Sequence, residues 1–279
     1  MAVHPKNARL TSKVSIDPWA ITWLLTLMAA LLVVASFGMQ LYRLAIHRER
    51  IFGLAMMSLD REHNIPAHFS TVLLLIAAAL LALIATLERK HREFDAPKWA
   101  ILAAGFVFMS VDEAVSLHEH LIDPMRHLLG GEHLGLLYFA WVVPGIALVA
   151  ALGMFFLPFM LRLPRRTAIA FALSAAIYLG GALGVELFEG AWKEAYGHRN
   201  VAYHALVTLE EAMEMAGVIF FINALMRHIA GRYGEVELDF DGVQAGHRAG
   251  ARLNASRGGI APLRPSAAGS TGRTPDRGS

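Results

Sequence analysis

Apolar positions fall into six long runs, at about 19–42, 68–87, 99–121, 134–161, 167–188 and 205–226. A helix needs roughly 20 such residues to cross ~30 Å of hydrocarbon. The pattern predicts an all-α fold, a polytopic transmembrane helix bundle of six spans over 19–230. A short cytoplasmic segment, 1–18, precedes it. From 231 to 279 the chain turns rich in Gly, Arg, Ser, Ala and Pro without a sustained apolar period, which reads as a disordered basic cytoplasmic tail. The first run is too long for a signal-peptide core and no cleavage site follows it, so it is expected to be retained as a helix. Pro144 is expected to kink the fourth span, and Gly180 with Gly184 to let a neighbouring helix approach closely.

Polar positions interrupt this pattern in a few places only. They are Asp112-Glu113 with His118-Glu119-His120, Glu186 with Glu189, and Glu210-Glu211 with Glu214. An ionisable group at the centre of a membrane helix costs about 2.5–3.5 kcal/mol on insertion scales, so a chain that keeps several has a use for them.

Charge in the connections gives these groups a common depth. Lys6, Arg9 and Lys13 precede the first run; Arg89, Lys90, Arg92 and Lys98 lie between the second and third; Arg162, Arg165 and Arg166 lie between the fourth and fifth. The alternate loops offer only Arg126, Lys193 and Arg199, although Arg43, Arg48, Arg50 and Arg61 dissent between the first two runs. The positive-inside rule then puts both termini in the cytoplasm of a bacterial inner (cytoplasmic) membrane. The third span runs outward and, at 1.5 Å per residue, carries Asp112 ~20 Å from its start. Glu186 and Glu189 end the outward fifth span, and Glu210, Glu211 and Glu214 begin the inward sixth. The stretch 59–66, with Asp60, Glu62, His63 and Asn64, sits at that level too. All the acids therefore gather near the outer leaflet.

On a continuous third helix Asp112, Ser116 and Glu119 share one stripe, with Glu113 and His120 on the next. On the sixth, His204, Glu211 and Glu214 face one way, and Glu210 pairs with Glu214 at i, i+4. Carboxylates so close cannot all stay ionised away from water; some hold protons, or a cation neutralises them. A carboxylate and imidazole set on facing helices suits a divalent metal ion such as Fe, Mn or Zn. The expected ligands are Asp112, Glu113, His118, Glu119, Glu211 and Glu214, with Glu210 and His204 as catalytic candidates. The acids of the cluster lack the Glu-x-x-His element of di-iron bundles, since Glu211 is followed at i+3 by Glu214 and Asp112 by Val115, and the His-rich boxes of membrane desaturases are absent.

Blander explanations compete. A helix end entering the headgroup region solvates Asp112, Glu113, His118 and Glu119, and Trp192 with Lys193 makes Glu186 and Glu189 resemble an interfacial anchor. Capping explains the polar residues before Pro66. Trp19, Trp23, Trp99 and Trp192 fit interfacial belts, and His228 falls in a loop or tail.

Composition narrows the class further. The chain has 279 residues, is 56% hydrophobic and 17% charged, and lacks Cys, which removes disulfides, thiolate metal sites and a cysteine nucleophile. Its net charge of +2 belongs to basic loops and tail on a membrane protein, and nucleic acid is not an expected partner.

The elements Leu59-Asp60-Arg61-Glu62-His63-Asn64-Ile65-Pro66, Asp112-Glu113 with His118-Glu119, and Leu209-Glu210-Glu211 with Glu214-Met215 resemble an uncharacterised type of bacterial six-span integral membrane protein. The resemblance covers the six-span region and brings no activity, cofactor or substrate. The paired histidines of membrane hydrolases related to alkaline ceramidases have no counterpart, since His204 stands alone. Three functions fit the residues: a metal-dependent membrane enzyme on a lipid or lipophilic substrate, a proton- or cation-coupled transporter, and a non-catalytic sensor module. The nearly bare inner halves, such as 101–108 and 217–225, favour the enzyme, for which hydrolysis and oxidation fit equally.

Overall fold

The computed structural model describes residues 17–46, 56, 59, 64–131 and 133–234. The chain divides into two units, Met1–Gly234 and Glu235–Ser279, and the description that follows concerns the first. The expected tail from 235 onward, and the readings on Asp60, Glu62 and His63, lie outside the described residues.

Among the described residues every regular element is helical. The long helices are α1 (Pro18–Ile46), α2 (Ile65–Lys90) and α3 (Ala96–Val115). A 3₁₀ turn (His118–Leu121) and the short α4 (Ile122–Leu129) follow, and a second 3₁₀ turn (Gly135–Leu137) leads to α5 (Val142–Arg162). Then α6 (Arg165–Leu179) passes through a π-helical segment (Gly180–Val185) into α7 (Glu186–Tyr196), and α8 (Val201–Tyr233) closes the bundle.

Four of these stretches are long and apolar enough to cross a membrane: α1, α2, α5 and the run Arg165–Tyr196. The pair formed by α3 and His118–Leu129 meets the same test together but bends by 79°. The expected count of six is thus approximate, because one span is broken and the sixth run lies inside α8, whose body carries Glu210, Glu211 and Glu214. The outer surface carries Trp23, Leu31, Val34, Met154 and Leu161, all widely exposed. So much unbroken apolar surface belongs against lipid rather than water.

Local chemistry sets the helix ends that matter. Asn64 caps α2 by accepting the Ala67 N–H at 2.9 Å, with Pro66 in the first turn where its missing N–H costs nothing. Asn200 caps α8 in the same way through the Tyr203 N–H, also at 2.9 Å. Such a cap is worth about 1 kcal/mol.

The central helix is α8, buried on most of its circumference and touching α1, α2, α6, α7 and the π segment. Its close approach to α6 depends on Gly217, where a Cβ would lie 2.8 Å from the backbone N of Tyr178. At Gly181 a Cβ would lie 2.7 Å from the Glu210 carbonyl oxygen, whereas at Gly184 it would meet nothing within 4 Å. The expected contact pair Gly180 and Gly184 is therefore corrected: Gly181 and Gly217 bring the backbones together, and Gly180 meets only the flexible end of Met213.

Three further expectations are revised. Pro144 stands in the first turn of α5, and the proline inside that helix is Pro158. Trp99 is core, not belt: it is 2% exposed and meets Phe159, Phe171 and His228 at ring distances of 5.0, 6.0 and 5.2 Å. His228 likewise belongs to α8 and is buried.

The bundle has two unlike ends. At one, Trp99 and its rings pack with Leu81, Ile84, Ile222 and Leu225, and Glu88 binds Arg232 at 2.9 Å and the Tyr233 hydroxyl. At the other, the starts of α2, α7 and α8 meet the end of α3, and a cavity opens between them.

Candidate functional site

The third run does not continue as one helix. Ser116 adopts the left-handed region at φ 51, and α3 stops at Val115. That conformation costs an L-residue about 1–2 kcal/mol, so local bonds must hold it. The Asp112 carbonyl accepts the Ser116 N–H at 2.6 Å. One oxygen of the Asp112 carboxylate accepts the His118 backbone N–H at 2.9 Å, and the other meets His118 Nδ1, also at 2.9 Å. His120 Nδ1 adds a bond to the Ser116 carbonyl at 3.0 Å. The stripe expected for Asp112, Ser116 and Glu119 is therefore replaced by a turn that folds His118 back onto Asp112.

The pair faces a cavity of about 270 Å³. Its lining includes Asp112, Glu113, Glu119, Glu186, Glu189, Glu210, Glu211 and Glu214 with His118, one lysine (Lys193), Trp141, Tyr178 and Tyr203. Carboxylates from α3, its broken continuation, α7 and α8 thus converge, as their common depth predicts. Of the candidate ligands, Asp112, Glu113, His118, Glu119, Glu211 and Glu214 all come to this one place, and so does Glu210. His204 does not line it. That ring is 1% exposed, and its Nε2 faces an Arg43 guanidinium nitrogen at 3.1 Å, behind Tyr203.

Glu186 and Glu189 are the acids that sequence reasoning undervalued. Both are buried and line the cavity instead of anchoring an interface. Tyr178, Ala182 and Glu186 reach the lining at intervals of four residues across the π segment, whose wider turn keeps that spacing on one face. Trp141 Nε1 donates to a Glu186 oxygen at 2.6 Å and its ring lies 4.6 Å from that of His118. Glu189 and Glu210 both line the cavity. Spacing Lys193 seven residues after Glu186 is a signal for the α7 stripe; Trp141 had none.

The result is an acid-lined pocket, in which eight carboxyl groups face one lysine and one histidine. Because Nδ1 of His118 is taken by Asp112, its Nε2 is the nitrogen left to a ligand or a proton. Among the described residues no three His, Asp or Glu side chains stand assembled to hold a metal ion.

An all-helical bundle with apolar outer faces and a polar cavity between its helices defines an integral membrane protein. A family model described as Domain of unknown function (DUF8692) matches residues 22–229, and the chain belongs to that family. No curated protein and no solved structure matches it.

Proposed function

We propose that this protein is a metal-dependent membrane enzyme that acts on a lipid or other lipophilic substrate at the acid-lined cavity. The observation that carries the proposal is the Asp112–His118 pair on the wall of a cavity with seven further carboxylates. Asp112 holds His118 by Nδ1, which fixes the tautomer and turns Nε2 into a proton acceptor or a metal ligand.

The donor set fits a divalent cation in kind: many carboxylate oxygens and one imidazole suit Mn or Fe better than the nitrogen and sulfur sites of structural zinc. Glu113, Glu211 and Glu214 with His118 Nε2 are the proposed ligands. Asp112, with both oxygens on His118, becomes the orienting partner. Binding would draw the ligands together from their present positions. A bound divalent ion supplies an activated water or a Lewis acid. A carboxyl group of the lining that is not on the metal, Glu210 above all, would serve as general acid for the leaving group, and Trp141 fixes Glu186. The charge pattern of the loops supports an inner-membrane protein with cytoplasmic termini and the cavity toward the outer leaflet.

Elemental analysis of protein purified in mild detergent tests this, beside a Glu211→Ala/His118→Ala variant. Stoichiometric Mn, Fe or Zn in the wild type and none in the folded variant is the expected result. Absence of metal in both, even after reconstitution with each ion, would sink the proposal.

A further inference from the structure

The broken third span carries an apolar face that the acid cavity does not use. Beyond the turn at Ser116, the stretch His118–Leu129 leaves the axis of α3 at 79°. A spanning helix tilts by about 20° from the bilayer normal, so a segment turned this far from it runs close to the membrane plane. Exposed apolar side chains reach the break along α3, at Phe108, Val111 and Val115, and resume beyond it at Leu117, Leu121 and Leu128.

The residues of α4 and its approach sort into three faces. Ile122, Met125 and Arg126, spaced as one side of a helix, are half-buried against the protein. Arg126 Nε donates to the Tyr138 carbonyl at 2.8 Å, and its guanidinium lies 4.0 Å from the centre of that ring. Ile122 lines the acid cavity together with His118 and Glu119 just before it. Asp123 and His127, four residues apart, form a second face that is polar and exposed. Leu121, Pro124 and Leu128 form the third, which is apolar and exposed, with Leu128 exposed to 75%.

We propose that His118–Leu129 is a membrane-surface segment whose partner is the lipid leaflet on the cavity side. Leu121 and Leu128 enter the leaflet, Asp123 and His127 stay in water, and the inner face roofs the cavity. Segments of this kind bury their apolar side about 5–10 Å deep, at the boundary between headgroups and acyl chains. The contact prolongs the lipid-facing surface of α3, so lipid covers it in place of water. His118 and Glu119 are thereby held at headgroup level, and a ligand meets the acids there. Nothing in this contact depends on a metal ion, so it stands or falls apart from the function proposed above.

The chain has no Cys, so one introduced cysteine gives a unique labelling position. Leu121→Cys, Leu128→Cys and His127→Cys are each made in the full chain, labelled with a fluorophore and placed in lipid nanodiscs. All three positions are exposed, so the bundle packs as before. Quenching by iodide in the water is compared with quenching by lipids that carry a nitroxide near the headgroup or near the chain end. Labels at 121 and 128 should lose most of their fluorescence to the nitroxide near the headgroup, less to the one near the chain end and little to iodide. The label at 127 should lose most to iodide. Iodide reaching all three alike would overturn the proposal, because the segment would then stand in water. Stronger quenching of 121 and 128 from the chain end would overturn it too, by placing the segment within the hydrocarbon. Shielding of both from iodide and lipid alike would mean that protein covers this face, and the lipid contact would be wrong.

Discussion

At the residue scale the site turns on Ser116. A serine at φ 51 gives no local sign that a helix ends there, because glycine or asparagine is the usual residue in that conformation. The bonds from Asp112 to His118 and from the Asp112 carbonyl to Ser116 are what hold it, and these span the break. That is why the members of the cluster were legible in sequence while their arrangement was not. Asp112 and His118 stood out as polar residues among apolar ones, but a continuous helix would have put them on different stripes. The strain predicts a contrast. Ser116→Gly relieves it and leaves the melting temperature in detergent equal to or above that of wild type. Ser116→Val, β-branched in the same conformation, lowers stability by about 2 kcal/mol. Equal melting temperatures for the two variants would show that the turn is not held in that conformation.

At the scale of elements, the hydrophobic pattern placed most helices well and misjudged what interrupts them. The runs at 19–42 and 68–87 fall inside α1 and α2. The run at 134–161 does not, because 134–141 folds as a turn that carries Phe139 and Trp141 into the cavity wall. Hydropathy cannot see that difference, since an apolar loop covering a polar cavity looks like the start of a span. Glycine contacts escaped for a related reason: spacing nominates pairs, and only packing decides which member meets a backbone. The consequence is measurable. Gly217→Ala forces a methyl group to within 2.8 Å of Tyr178, and Gly181→Ala to within 2.7 Å of the Glu210 carbonyl oxygen. Each should cost about 1–3 kcal/mol by overpacking and lower the thermal midpoint. Gly184→Ala, with nothing within 4 Å, should leave it unchanged. A drop for Gly184→Ala alone would mean that α6 and α8 meet in another register.

At the scale of the whole molecule, the decisive contrast is between the two ends. The acids converge where α2, α7 and α8 begin and α3 ends. The opposite half packs Leu81, Trp99, Phe159, Ile222 and Leu225, all at 2% exposure or less, around the buried Asn223 and His228. Beyond them Glu88 ties Arg232 and Tyr233 of α8 to the end of α2, and Arg162 ties α5 to Asp95. A transport path needs polar groups across the full depth, since a bare cation or proton in hydrocarbon has no partner. Here a cation that reaches Glu214 meets packed side chains, and opening a way past them would cost the burial of several large residues. Packed side chains thus close one end of the cavity in Met1–Gly234, which supports the enzyme proposed above over a transport path. Proteoliposomes loaded with a pH-sensitive or Mn²⁺-quenched dye put this to the test under an imposed gradient. The expected flux equals that of protein-free vesicles, for the wild type and for Glu214→Gln alike. A wild-type flux well above background that disappears in Glu214→Gln would instead mean that the packed half opens, and the acids would then be read as stations on a transport path.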